Sequence, residues 1–171
     1  MRKVLTTLFL GTITTFALTI GEVPKKIILD KNSGGCVDGT TWNSQTIKDK
    51  VYVMFYVDPD EKDTNNDFSE ALKAQGYDRR KFASIAIVNL AATWMPNFAI
   101  EASLKSKQKE YPHTIYVKDK QKILVKKWHL KDDSSNIIVF GRSGKVIYTH
   151  SGKLNHFEIT KVIRMINELI Q

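Results

Sequence analysis

Val51 to Val57 (VYVMFYV) is an unbroken apolar and aromatic run, set off by Lys48-Asp49-Lys50 before it and Asp58-Pro59-Asp60-Glu61-Lys62-Asp63 after it. A β-branched and aromatic run of this length, bounded by charge, is the pattern of a strand buried within a sheet. Phe82 to Leu90 (FASIAIVNL) repeats it, and such strands need helices packed over them. The sequence between and after them supplies helices. Asn65 and Asn66 offer an N-cap for a helix near Asp67 to Gln75, with Phe68, Ala71 and Leu72 on its buried face and Gly76 as its stop. Pro96 fits the first turn of a second helix running to about Glu110, with Phe98, Ala99, Ala102 and Leu104 inward. Lys105, Lys107 and Lys109 fall at its C-terminal end, where the helix dipole favours cations.

The flanking sequence is read in the same way. Ile27 to Leu29 is a short strand candidate, and the glycine-rich stretch from Ser33 to Gly39 reads as a loop. His113 to Val117 and Ile123 to Trp128 are two further strand candidates around a turn at Asp119-Lys120. Asn136 to Phe140 and Lys145 to His150, joined by Gly141-Arg142-Ser143-Gly144, form a hairpin. Asn155 and Glu158 make an N-x-x-E capping pattern ahead of a terminal helix striped by Phe157, Val162, Ile163, Ile166, Leu169 and Ile170. Alternating elements with an antiparallel end predict one α/β domain over residues 22–171, a mixed sheet with helices on both faces.

Met1-Arg2-Lys3 is a short cationic segment and Val4 to Ile20 is apolar, threonine-rich and uncharged, the pattern of a signal peptide. Its expected extent is residues 1–17, or to about 21, with Thr15 and Ala17 at the cleavage site. The apolar core is near or just below the roughly 17 to 25 residues that span a bilayer, and no stop-transfer run follows, so no membrane span is expected after cleavage. The implied location is the periplasm. Removing Arg2 and Lys3 from the 26 basic residues leaves 24 against 18 acidic ones, a formal charge of +6. In that compartment a basic surface points to an acidic periplasmic protein or an anionic envelope component, and not to nucleic acid. A lone cysteine excludes an internal disulfide, so the domain is held by its core.

Few residues here have the spacing of known chemistry. Cys36 is the one possible thiol nucleophile and lies upstream of the first buried strand, away from any helix N-terminus that would activate it. Asp58, Asp60, Glu61, Asp63 and Asp67, with Asn65 and Asn66, supply hard oxygen ligands of the type calcium prefers. Asp63-x-Asn65-x-Asp67 matches the opening of an EF-hand loop, but Phe68 replaces the glycine and Ala74 the closing acid. A solvated loop with acids near a helix N-terminus is the simpler reading. His113, His129, His150 and His156 lack zinc spacing, and no dinucleotide, P-loop or nucleophile-elbow motif occurs. No catalytic, metal or cofactor residue is assigned. Trp42 and Trp128 are expected in the core. Trp94-Met95 follows the second buried strand, at the end of the sheet where open α/β folds bind ligands. Together with Asp58, Pro59, Asp60 and Glu61 it forms a candidate interaction face.

Thr41-Trp42-Asn43-Ser44, the strand from Val51, Ile87-Val88-Asn89, Ala102-Ser103-Leu104 through Tyr111-Pro112, and Trp128 before Leu130 follow one another in a characteristic order. Ser134-Ser135 leading into Ile137 to Phe140, Gly144-Lys145-Val146 and Ser151-Gly152-Lys153-Leu154 continue it. In this set the chain resembles the YtfJ family, small exported bacterial proteins with a thioredoxin-like fold and no established activity. The resemblance implies that the acidic loop stands where redox relatives carry Cys-x-x-C, with Asp60 and Asp63 at the two cysteine positions. A carboxylate cannot exchange a disulfide. The proline that redox members carry before the late strand would fall at Ser135 or Asn136. Both losses point to a noncatalytic binding or accessory module of the envelope. The alternative is a thiol-dependent oxidoreductase or peroxidase-like enzyme using Cys36.

Overall fold

The computed structural model describes residues 18–171, so the expected signal segment at 1–17 lies outside the described residues. Its centre is a six-stranded mixed sheet in the order β2-β6-β5-β4-β7-β8. The strands are β2 (Gly34–Cys36), β4 (Val51–Val57), β5 (Phe82–Asn89), β6 (Thr114–Asp119), β7 (Ser135–Phe140) and β8 (Val146–Ser151). β4 pairs parallel with β5, and β5 parallel with β6, while β7 runs antiparallel to β4 and β8 antiparallel to β7. A two-stranded patch, β1 (Ile28–Leu29) with β3 (Trp42–Asn43), lies beside it. The expected α/β class, mixed sheet and closing hairpin are all present.

Side-chain alternation along β4 sends Val51 and Val53 to a cluster with Phe68 and Leu72 of α1 (Asn66–Ala74) and Val162 and Ile166 of α4 (His156–Ile170). Met54 and Tyr56 go to the opposite side, against Leu124 and Trp128 of α3 (Ile123–Trp128) together with Trp42 and Leu29. A third cluster joins Val57, Val88 and Leu90 to Ile100 and Leu104 of α2 (Asn97–Glu110). Helices therefore cover both faces. Asn155 and Glu158 close the expected capping box at the start of α4.

Four expectations are corrected. Ile123 to Trp128 is a helix and not a strand, because Asp119 accepts hydrogen bonds from the backbone N–H groups of Ile123 (2.9 Å) and Leu124 (3.0 Å) and so caps a turn there. The segment read as a glycine-rich loop contains β2, which pairs with β6. Gly34 makes this pairing possible: at φ +138°, a Cβ there would stand 1.8 Å from the Lys118 carbonyl oxygen. Finally, α2 buries Ile100 and Leu104, while Phe98 and Ala102, expected inward, are exposed. Phe157 is likewise exposed ahead of the α4 stripe.

Candidate functional site

Because β4, β5 and β6 are parallel, their last residues reach one edge of the sheet, placing Asp58, Asn89 and Asp119 there. β7 runs the other way, so its start returns to the same edge and brings Asp132, Asp133 and Ser134 with it. Asp58, Asn89 and Asp119 are all buried, a concentration of polar groups that needs internal partners. Asp119 has them: besides the two α3 amides it accepts from Gln121 N–H (3.2 Å) and the Tyr56 hydroxyl (3.2 Å). Burial, with Asp119 alongside, drives the Tyr56 phenol far above the ordinary tyrosine range.

Asp58 is less well supplied. It is only 2% exposed, its backbone N–H donates to Ser134 O (3.2 Å), and its Oδ2 accepts from Ser134 N–H (2.9 Å). Oδ1 is buried with no hydrogen-bond partner among the described residues. The Asn89 amide is close enough to favour the charged form, but the hydrogen bond of its Nδ2 goes to Asp132 Oδ1 (3.3 Å). Burial raises the Asp58 pKa, and the Asn89 amide and Ser134 N–H offset this only in part. One oxygen each from Asp58, Asp132 and Asp133 lies within 4.8 Å of the others, and Lys122 Nζ pairs with Asp132 Oδ2 at 2.7 Å.

The acidic loop does not converge as a ligand ladder. Asp60, Asp63 and Asp67 are exposed, and Asp63 is paired with Lys62 at 2.7 Å. Asn65 is buried and structural: its Nδ2 donates to Ser135 Oγ and Gly152 O, both at 2.9 Å, and its Oδ1 accepts from Leu154 N–H (2.9 Å). Asn136, at the other position where a proline would be expected, donates to Lys131 O (2.9 Å) and accepts from Lys131 N–H (3.2 Å) and Ser151 Oγ (2.7 Å).

On the opposite face, a groove of about 1250 Å³ lies over β4, β5 and β6 between α1 and α2. Phe55, Val88 and Tyr116 are among the sheet residues lining it, with Ile100 and Leu104 from α2. Pro59, Asp60 and Met95 line it as well. Lys73 of α1 and Lys107 of α2 both stand over the Tyr111 ring, 5.6 and 5.2 Å from its centre. Of the candidate interaction face, Asp58 and Pro59 are buried, Asp60 is exposed, Glu61 is half-buried, and Trp94 and Met95 are exposed. Trp94 is 90% exposed, while Trp42 and Trp128 are in the core.

Cys36 is half-buried on the edge strand β2, opposite Val117. Burial pushes its thiol pKa up, with the nearby Thr40 opposing and Asp38 adding to the rise. An activated thiolate needs the reverse. Sequence reasoning missed Asp119, Asp132 and Asp133, and the hydrogen bond from Asn89 to Asp132. The one local signal was the Asp132-Asp133 pair directly ahead of Ser134-Ser135.

Among curated relatives, the chain is 26% identical over 149 residues to the uncharacterized protein YtfJ of Escherichia coli (strain K12), covering 85% of this chain and 79% of that one. An uncharacterized protein of Haemophilus influenzae is 30% identical over 134 residues, covering 75% and 71%. Among solved structures, a thiol peroxidase from Chromobacterium violaceum matches with TM-score 0.64 at 12% identity, covering 91% of this chain and 90% of that one. A thiol-disulfide isomerase from Corynebacterium glutamicum matches with TM-score 0.61 at 16% identity, covering 88% and 96%. At such identities these structures establish the thioredoxin-like fold alone. Residues 24–169 match the family described as a bacterial protein of unknown function, YtfJ_HI0045, and the chain belongs to this YtfJ family.

Proposed function

We propose that this protein is exported to the periplasm and acts there as a noncatalytic binding module, with the groove between α1 and α2 as its binding surface. The observation that carries the reading is the groove itself: about 1250 Å³, floored by a sheet face that helices leave open between them. Its occupant is an acidic protein segment with apolar side chains. The lining has five cationic residues, Lys50, Lys62, Lys73, Arg79 and Lys107, against three anionic ones, Asp60, Asp63 and Glu70, which favours a negative partner. The floor and the exposed Met95 supply apolar contact. The cationic segment Met1-Arg2-Lys3 with the apolar run from Val4 supports export. The absence of cysteine from the loop after β4, and the raised pKa of Cys36 on the far edge strand, support a role without redox turnover.

Two labelled peptides of equal apolar content, one acidic and one basic, test this by fluorescence anisotropy. The acidic peptide is expected to bind, to weaken as salt rises, and to lose at least about tenfold in affinity to the double variant Lys73→Glu, Lys107→Glu, as two opposed charges at a rim would give. Equal binding of both peptides, or of a purely anionic polymer without apolar groups, would overturn the protein-segment reading. Disulfide reduction or peroxide consumption that disappears in Cys36→Ser would overturn the noncatalytic one.

A further inference from the structure

We infer that the carboxylates of Asp58, Asp132 and Asp133 form a binding site for a hard divalent cation of calcium's size, at the sheet edge where redox relatives would carry their reactive loop. The site is separate from the groove, since Asp58 follows Tyr56 onto the α3 side of β4.

The orphaned oxygen is the first ground. Asp58 is 2% exposed, yet its Oδ1 has no hydrogen-bond partner among the described residues, although Oδ2 is satisfied by Ser134 N–H at 2.9 Å. A buried carboxylate oxygen without a donor is costly, and a bound cation is one of the few groups that compensate it. Besides the Asn89 amide, whose Nδ2 hydrogen bond goes to Asp132 Oδ1 at 3.3 Å, the groups gathered around Asp58 are two more carboxylates.

Geometry and charge agree. An ion coordinated at about 2.3–2.6 Å admits ligand oxygens up to about 5 Å apart, whereas the shorter bonds to magnesium, about 2.0–2.1 Å, limit them to roughly 4 Å. The three oxygens here lie within 4.8 Å of one another, a spread that an ion of calcium's size can span. Lys122 already pairs with Asp132 at 2.7 Å, which leaves two of the three negative charges of the cluster uncompensated, the charge of one divalent cation. All the ligand atoms are hard oxygens, and no histidine or thiol belongs to the set. Burial grades from Asp58 (buried) through Asp132 (half-buried) to Asp133 (exposed), so an ion has an entry route past Asp133. With three protein carboxylates and waters to complete its shell, and with a lysine nearby, the site belongs in the weak range, with Kd on the order of 10⁻⁴ to 10⁻³ M.

The test is calorimetric titration of the full exported domain, chelator-treated, with CaCl2 and separately with MgCl2 at constant ionic strength. Thermal melts at each endpoint accompany it. Calcium is expected to bind one to one and raise the melting temperature. Asp58→Asn and Asp132→Asn are each expected to weaken binding at least tenfold, while Asp60→Asn, in the exposed loop, leaves it unchanged. Circular dichroism of the variants separates loss of the site from loss of the fold, and a misfolded Asp58→Asn would leave Asp133→Asn, at the exposed ligand, to decide. No heat and no stabilisation with either ion would overturn the site. Tighter binding of magnesium than calcium would overturn the assignment of ion size. Calcium binding unaffected at all three ligands would place the ion elsewhere. None of these results depends on whether the groove binds acidic peptides.

Discussion

Asp58 and Ser134 are joined twice, by the Asp58 N–H donating to Ser134 O at 3.2 Å and the Ser134 N–H donating to Asp58 Oδ2 at 2.9 Å. This reciprocal pair fastens the end of β4 to the segment entering β7. It holds one carboxylate oxygen, while the other, Oδ1, is buried with no hydrogen-bond partner among the described residues. The arrangement predicts an uncommon outcome for a buried polar substitution. Asp58→Asn keeps an acceptor for the Ser134 N–H while removing an uncompensated buried charge, and gains a donor facing two carboxylates. In chelator-treated protein at neutral pH we expect it to stabilise by about 1 kcal/mol, a rise of roughly 2–4 °C in melting temperature for a domain of this size. Asp58→Ala, which also strips the Ser134 amide of its acceptor, is expected to destabilise by about 1–3 kcal/mol. Differential scanning calorimetry of the two variants decides, and a fall in stability for both would show that the Asp58 charge is already compensated.

Asn65 ties three segments that are far apart in sequence, donating to Ser135 Oγ and Gly152 O and accepting from Leu154 N–H. No other side chain has two donors and an acceptor in this shape. Asn65→Ala leaves buried groups on β7 and on the stretch after β8 unpaired, at a cost of about 2–4 kcal/mol. Asn65→Asp, which keeps the acceptor and loses both donors, is expected to be at least as damaging. Urea denaturation measures both, and a loss below about 0.5 kcal/mol would mean that water replaces Asn65 there.

How far the sequence discloses such features differs from element to element. The central strands were legible because Val51 to Val57 is buried almost throughout and Phe82 to Asn89 at Ile85 and from Ile87 onward, and burial writes itself into composition. The capping box at Asn155 and Glu158 was legible because both partners lie within one turn. The cation site was not, since Asp58 meets Asp132 and Asp133 only after two parallel crossovers and the reversal into β7 bring distant residues to one edge. The acidic loop misdirected attention for the same reason: spacing placed Asp63, Asn65 and Asp67 in a row, while the fold turned Asn65 inward and left the two acids outside. Phe98 was misplaced because α2 turns Ile100 and Leu104 toward the sheet, and a residue two positions before Ile100 then falls on the opposite side of the helix.

The helix at Ile123–Trp128 depends on one residue outside it. Its β-branched sequence suits a strand, and Asp119 decides for helix by accepting from the Ile123 and Leu124 amides while also taking the buried Tyr56 hydroxyl. Asp119→Ala removes all of these acceptors at once and is expected to cost about 3 kcal/mol or more, whereas Asp119→Asn retains part of the set and costs about 1 kcal/mol. Hydrogen exchange on the Ile123 and Leu124 amides gives the local readout. Protection at these two amides that survives in Asp119→Ala would show that the turn holds without its cap.

Cys36 gives a prediction about reactivity. Burial raises its pKa, so at neutral pH almost none of it is thiolate, and β2 pairing restricts approach. Alkylation by iodoacetamide at pH 7.5 is expected to run several-fold slower than for free cysteine and to accelerate as pH rises past the ordinary thiol range. Cys36→Ser should leave the melting temperature within about 1 °C, as expected for a near-isosteric change at a half-buried edge position. Alkylation faster than free cysteine would reverse the reading and make Cys36 an activated thiol.

Alkaline stability follows from the tyrosines. Burial pushes Tyr116 up to about 12, with Tyr111 and Glu110 adding to the rise, and pushes Tyr56 still further. In the unfolded chain both ionise near pH 10. A group whose folded pKa is raised binds its proton more tightly in the native state, so its contribution is complete below pH 10 and is lost as pH climbs through the folded value. Native stability is therefore expected to hold up to about pH 10 and fall between about 10 and 12. Absorbance near 295 nm should show ionisation of the buried tyrosines coinciding with loss of the near-ultraviolet dichroism. Tyr116→Phe removes one of the contributing groups and should make the fall less steep. An unchanged slope would mean that Tyr116, half-buried on the floor of the groove, ionises at nearly the same pH in the folded and the unfolded chain.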